Sequence, residues 1–111
     1  MNATYSETTK QGNAELPLLQ QATACLEEIL RSSAFADQVR AEWDGSQDPK
    51  GRTFYTLRLS AWEESVSASF TPRDLRDPRE MRWQLRDLWD NMLRIRFNKS
   101  LENLTKGSDG A

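Results

Sequence analysis

Three consecutive segments of the chain alternate apolar and polar residues, and this pattern constrains the fold more than any other feature of the sequence. The segments are residues 38–43, 53–62 and 65–71. Alternation with a period of two is typical of strands that bury one face and leave the other in water. Serine stands at Ser65, Ser67 and Ser69 of the third segment, which indicates that one face of the predicted sheet is polar.

A segment with helical periodicity precedes the strands. We expect it to begin near Glu15, because Pro17 suits a first helical turn, where its missing N–H costs nothing. Apolar residues then recur at helical spacing and define one buried stripe. The stripe consists of Leu18, Ala22, Cys25, Leu26 and Ile29, widened by Leu19 and Leu30.

A second helical segment follows the strands and has two possible starts, at Thr71-Pro72 and at Asp77-Pro78. Proline at position 78 disfavours a helical conformation of the residue before it. The sequence therefore predicts a short turn at 72–76 and a main helix from about residue 78. The core stripe of this helix comprises Met81, Leu85, Leu88, Met92 and Ile95, supported by Trp89 and Leu93.

These elements predict an α+β fold, a two-layer sandwich of order α-β-β-β-α. Two helices cover one face of a three-stranded antiparallel meander. With 111 residues the chain has the size of one domain, which we place at 15–104. Residues 1–14 and 105–111 are polar and are predicted to be a disordered arm and a disordered tail. A second copy of the chain is the alternative cover for the open sheet face.

The composition argues against several classes of function. Histidine is absent, which removes catalytic triads and the common zinc sites, and Cys25 is expected to be a core residue. No catalytic residue, cofactor site or metal site is predicted, and the chain is expected not to be an enzyme. No apolar run approaches the roughly 18 residues of a membrane span. The absence of a signal segment and the lone cysteine favour a cytoplasmic protein.

Apolar residues on the wrong side of the second helix are the strongest candidate for a functional surface. At 100° per residue, Trp83, Phe97, Leu101 and Leu104 lie roughly 140–200° from Met81, opposite the core stripe. The sequence leaves two outcomes open: a straight helix that presents these residues as an interface, or a break near 98–100 that folds the tail back. Phe54 and Trp62, on the polar side of the sheet, form a second candidate patch, which the N-terminal arm could instead cover.

Arginines crowd the same helix, and Arg79, Arg82 and Arg86 lie along one side of it. The order helix–strand–strand–strand–helix resembles that of double-stranded-RNA-binding domains, which implies phosphate contacts from the start of the second helix. The resemblance is one of element order, because Asp74 and Glu80 place acids where that family attracts phosphate. The expected function is therefore a protein-interaction or self-associating module that uses the C-terminal helix. RNA or DNA binding through the three arginines is the alternative.

Overall fold

The structure of the chain is a computed structural model. It describes the backbone of residues 1–10, 14–31, 33 and 36–109, and the side chains within these ranges as far as Lys99. In chain order, the elements are β1 (Asn2–Tyr5), α1 (Glu7–Lys10), α2 (Leu16–Leu30), a 3-10 turn (Ala36–Gln38), β2 (Arg40–Gln47), β3 (Thr53–Ala61), β4 (Glu64–Phe70), α3 (Pro72–Arg76) and α4 (Pro78–Asp109).

The four strands form one mixed sheet in the order β1-β2-β3-β4. The pairs β2–β3 and β3–β4 are antiparallel, whereas β1 is parallel to β2, with Ala3 opposite Ala41. The α+β class is confirmed, but the sheet differs from the predicted three-stranded meander. Residues 2–5 and 7–10, expected in a disordered arm, form β1 and α1. Only Ala3 and Tyr5 of β1 turn toward the core, and two apolar residues are too few to identify a strand by alternation.

Polar contacts at Asp44 hold the N-terminal segment against β2. Its carboxylate accepts hydrogen bonds from Ser6 Oγ at 2.8 Å and from Thr8 Oγ1 at 3.0 Å, and the Gly45 N–H donates to Thr8 Oγ1 at 3.1 Å. The hydroxyl of Ser6, followed by that of Thr8, lowers the pKa of Asp44. Such contacts depend on residues more than thirty positions apart, so the polar composition of the segment does not reveal them.

The core lies between one face of the sheet and the helices α2 and α4. Alternate residues of the strands point into it, as the sequence pattern predicts. The buried strand residues are Ala41, Trp43, Tyr55, Leu57, Leu59, Ala61 and Phe70. From α4 the core receives Met81, Leu85, Leu88, Trp89 and Met92, whereas Ile95 is half-buried and Leu93 is 38% exposed. On the first helical segment the buried stripe is rotated from the predicted one: Leu18, Cys25 and Ile29 are only half-buried, and Thr23 is buried.

Thr23 is buried because its hydroxyl group has three partners. The oxygen accepts from Trp43 Nε1 at 2.9 Å and from Tyr5 OH at 3.0 Å, and its proton goes to the Leu19 carbonyl at 2.8 Å. One donor and two acceptor sites are the full capacity of a hydroxyl. This group therefore joins α2 to both β1 and β2 without leaving a polar atom unpaired.

The helix α4 is continuous through residues 98–100 and extends to Asp109. The helix therefore does not break at 98–100, and it includes residues 105–109, predicted as a disordered tail. The segment 72–76, predicted as a short turn, forms the short helix α3 (Pro72–Arg76), with a capping box between Thr71 and Asp74. The side chains of Leu101 and Leu104 lie outside the described part of the chain, as do residues 110–111.

We predict that Thr23→Val lowers the free energy of unfolding by about 1–3 kcal/mol, because Trp43 Nε1 and Tyr5 OH lose a buried acceptor in a side chain of nearly the same shape. Chemical denaturation followed by tryptophan fluorescence measures the change. Thr23→Ser keeps the hydroxyl and is the control, expected to lose less than half as much. Equal losses in the two variants would contradict a hydrogen-bonding role.

Candidate functional site

Two aromatic side chains stand exposed on the face of α4 that points away from the core. Trp83 is 66% exposed and Phe97 is 62% exposed, whereas Leu85 and Met92, on the inner face of the same helix, are fully buried. Fourteen residues separate the two aromatics, which corresponds to about 21 Å along the helix axis. The sequence prediction that both lie opposite the core is confirmed, and they form two separate apolar spots on this outer face of α4.

Trp83 borders a groove between α4 and the strand β4, which we call the β4–α4 groove. Its volume is about 240 Å³. The groove is lined by Ser67 and Ala68 of the strand and by Glu80, Trp83, Gln84, Asp87, Leu88 and Asn91 of the helix. Gln84 Nε2 donates to Glu80 Oε1 at 2.9 Å and holds that carboxylate in place. The two charged residues of the lining, Glu80 and Asp87, are both acidic.

A salt bridge closes the hairpin end of this region. Lys99 Nζ of α4 lies 2.7 Å from Glu64 Oε1, at the first residue of β4. The hydrogen bond and the charge of Glu64 raise the pKa of Lys99. Because both side chains are partly exposed to water, the pair contributes little to stability. It joins residue 99 of α4 to the first residue of β4.

Trp62 and Phe54 do not form the common patch that the sequence predicts. They lie at opposite ends of β3, and Trp62 has turned away from the polar sheet face. Its indole lies 6.4 Å from the ring of Trp89, under the guanidinium of Arg96 at 5.0 Å, and its N–H donates to Gln38 Oε1 at 2.8 Å. Phe54 is half-buried and stands opposite Ser46 in the sheet.

The physical reason for the position of Trp62 is the turn between β3 and β4. Trp62 and Glu63 are its two central residues, with φ angles of 54° and 66°. Two left-handed residues define a type I′ hairpin turn, whose twist matches that of the strands. Neither residue is glycine, and the left-handed conformation costs roughly 1–2 kcal/mol for each. The contacts of the indole with Trp89, Arg96 and Gln38 offset this strain.

The three arginines of the alternative prediction are all exposed. Arg82 Nη1 lies 3.8 Å from Glu28 Oε2 of α2, so this side chain faces a carboxylate. Glu80 and Asp87 directly follow Arg79 and Arg86 in the sequence, and Asp77 accepts the backbone N–H groups of Arg79 and Glu80 at the helix start. The row therefore does not form an uninterrupted basic surface.

The remaining residues that could carry chemistry do not cluster into a catalytic or metal site within the part of the chain that the structure describes. Cys25 is half-buried beside a small apolar groove of about 140 Å³, which Leu18, Leu75 and Met81 also line. Within the ranges that the structure describes, no group of three or more histidine, cysteine, aspartate or glutamate residues could hold a metal ion. Nor does any helix in the described part of the chain have the length and apolar character needed to cross a membrane.

Comparisons of the chain with protein-family models, with curated proteins and with solved structures found no match. Function is therefore inferred from the geometry of the chain itself. The surface that combines exposed aromatic side chains, a groove and the end of the sheet is the one formed by α4 and β4. Helical periodicity predicts that its aromatic side chains face outward. The sequence does not predict the groove, because its walls come from separate segments.

We predict that Trp83→Gln and Phe97→Gln each change the free energy of unfolding by at most about 0.5 kcal/mol, because both side chains are largely in water. Leu85→Ala, at a fully buried position of the same helix, is expected to lower it by about 2–5 kcal/mol. Thermal and urea denaturation measure both. A loss above about 1 kcal/mol for Trp83→Gln would mean that this side chain stabilises the folded chain itself.

Proposed function

We propose that this chain is a non-enzymatic interaction module that docks a protein partner on the outer face of α4. The observation that carries the proposal is the exposure of Trp83 and Phe97 on a helix that buries Leu85 and Met92 completely on its opposite face. An isolated domain gains nothing from holding two large aromatic rings in water. A partner that covers them would remove apolar surface from water at both points.

The energetics favour Trp83 as the main anchor. Covering about 100 Å² of an indole ring contributes roughly 2.5 kcal/mol at about 25 cal/mol per Å². Tryptophan and arginine are the residue types most enriched among the few that dominate interface energies. Arg79 and Arg86 lie one turn on either side of Trp83 and can supply the polar rim around it.

The residue types on this surface suit binding better than catalysis. A reaction needs a nucleophile or a general acid–base group within reach of a positioned substrate. The β4–α4 groove offers two carboxylates beside an indole, in an open depression where water screens them. Recognition of a partner requires only complementary shape and charge.

The proposal is tested by affinity capture from the source cell with the full chain as bait. Trp83→Ala combined with Phe97→Ala is expected to weaken binding of any specific partner by about 30-fold or more, the equivalent of about 2 kcal/mol. Glu27→Ala, at an exposed position of α2, is the matched control and should bind as the wild type does. Captured partners are then titrated against each variant by calorimetry.

Two outcomes would contradict the proposal. One is a partner that binds the double variant and the wild type equally. The other is binding that disappears after nuclease treatment and weakens steeply with salt, as expected for a nucleic-acid-binding protein that uses Arg79, Arg82 and Arg86.

A further inference from the structure

Every second residue of β4 directs its backbone N–H and C=O groups outward from the sheet, and the hairpin turn determines which residues these are. A two-residue turn makes the flanking residues, Ala61 and Glu64, a hydrogen-bonded pair. In an antiparallel ladder such pairs alternate with non-hydrogen-bonded ones. Val66, Ala68 and Phe70 therefore direct their N–H and C=O groups to β3. The serines that alternate with them, Ser65, Ser67 and Ser69, direct theirs away from the sheet.

This edge lacks the usual protection against strand addition. Natural edge strands carry lysine, proline or a bulge that prevents pairing with another chain. Residues 65–70 contain neither lysine nor proline, and their pairing with β3 runs one to one without a bulge. All three serines are exposed, and no strand among the described residues lies beyond β4. The edge is thus a template for one further strand.

The residues of α4 that lie beside this edge determine which side chain an added strand can place there. A side chain that points from an added strand toward the helical layer enters the β4–α4 groove. There it meets the indole of Trp83 and the carboxylates of Glu80 and Asp87, which are seven residues apart on one side of α4. A guanidinium group stacks on an indole face and pairs with carboxylates, and it is the side chain that satisfies both contacts at once.

We propose that β4 binds an extended, arginine-bearing segment of a partner protein as a fifth strand, with the arginine on Trp83 between Glu80 and Asp87. This inference rests on the proposed function and specifies the chemistry of the partner. Backbone hydrogen bonds to Ser65, Ser67 and Ser69 supply affinity, and the groove supplies selectivity. A second copy of the chain fits less well, because a twofold-related β4 would bring another Glu80 and Asp87 to the same junction.

The test uses a fluorescein-labelled seven-residue peptide, Thr-Val-Thr-Arg-Thr-Val-Thr, titrated with the full chain and followed by fluorescence anisotropy. The same peptide with glutamate in place of arginine is the matched ligand control. We expect the arginine peptide to bind at least roughly tenfold more tightly than the glutamate peptide. Trp83→Ala and Asp87→Asn should each reduce that preference, since each removes one contact with the guanidinium.

The main-chain contribution is tested with Ser67→Pro. Its proline removes an N–H that points to solvent, a position that edge strands tolerate, so the ladder to β3 remains. We expect a loss of binding of roughly tenfold or more, with Ser67→Thr as a control that binds as the wild type does. Circular dichroism verifies the fold. If Ser67→Pro does not fold, the wild-type chain is titrated with two peptides that carry N-methyl groups on opposite strand edges, and only one of them should bind.

Equal binding of the arginine and glutamate peptides, no binding of either at millimolar protein, or unchanged binding by Ser67→Pro would overturn the inference. So would a dimer in sedimentation that Ser67→Pro dissociates and the arginine peptide does not, because the occupant would then be a second copy. These results are separable from the proposed function. A partner that depends on Trp83 and Phe97 but not on Ser67 would leave the outer face of α4 as the docking site and remove strand addition.

Discussion

The hydroxyl of Thr23 is the contact on which the arrangement of the layers depends. It joins the helix α2 to Trp43 in β2 and to Tyr5 in β1, and all three of its hydrogen-bonding sites are used. Because Trp43 is 1% exposed, its indole N–H cannot turn to water and needs an acceptor inside the protein. Thr23 supplies that acceptor, and the same atom accepts from Tyr5 of β1, the strand at this edge of the sheet. One side of the sheet is thereby extended, and β4 remains as the longer edge on the other side.

The turn at Trp62 and Glu63 determines the arrangement of the opposite edge of the sheet, at β4. Its two left-handed residues set which residues of β4 pair with β3, and the packing of Trp62 on Trp89 ties that turn to α4. The register of β4 then determines that serine backbone groups, rather than those of Val66 and Ala68, face outward. The indole side chain of Trp62 thus links three features: the strain in the turn, the position of α4, and the set of β4 backbone groups that point outward.

The sequence predicts those parts of the fold that depend on periodicity. The three alternating strands and the outward position of Trp83 and Phe97 follow from spacing alone, and the break before Pro78 follows from the effect of proline on the preceding residue. The strand β1 does not, because Asn2–Tyr5 is held by Ser6, Thr8 and Thr23, which are polar residues distant in sequence from their partners. For the same reason the sequence places Trp62 on the polar face: a two-residue turn of left-handed Trp and Glu has no local signal, since such turns usually contain Asn or Gly. The sequence also does not predict the β4–α4 groove, because the residues of its two walls are more than ten positions apart in the chain.

The central claim is that alternate amide groups of β4 are free on the outer edge, and amide hydrogen exchange followed by NMR measures them one by one. The account predicts that the amides of Ser65, Ser67 and Ser69 exchange close to the rate of an unstructured peptide. The amides of Val66, Ala68 and Phe70 should exchange orders of magnitude more slowly, because they are bonded to β3 inside the sheet. Uniform protection along residues 65–70, or protection of the serines in place of their neighbours, would contradict the register and with it the free edge.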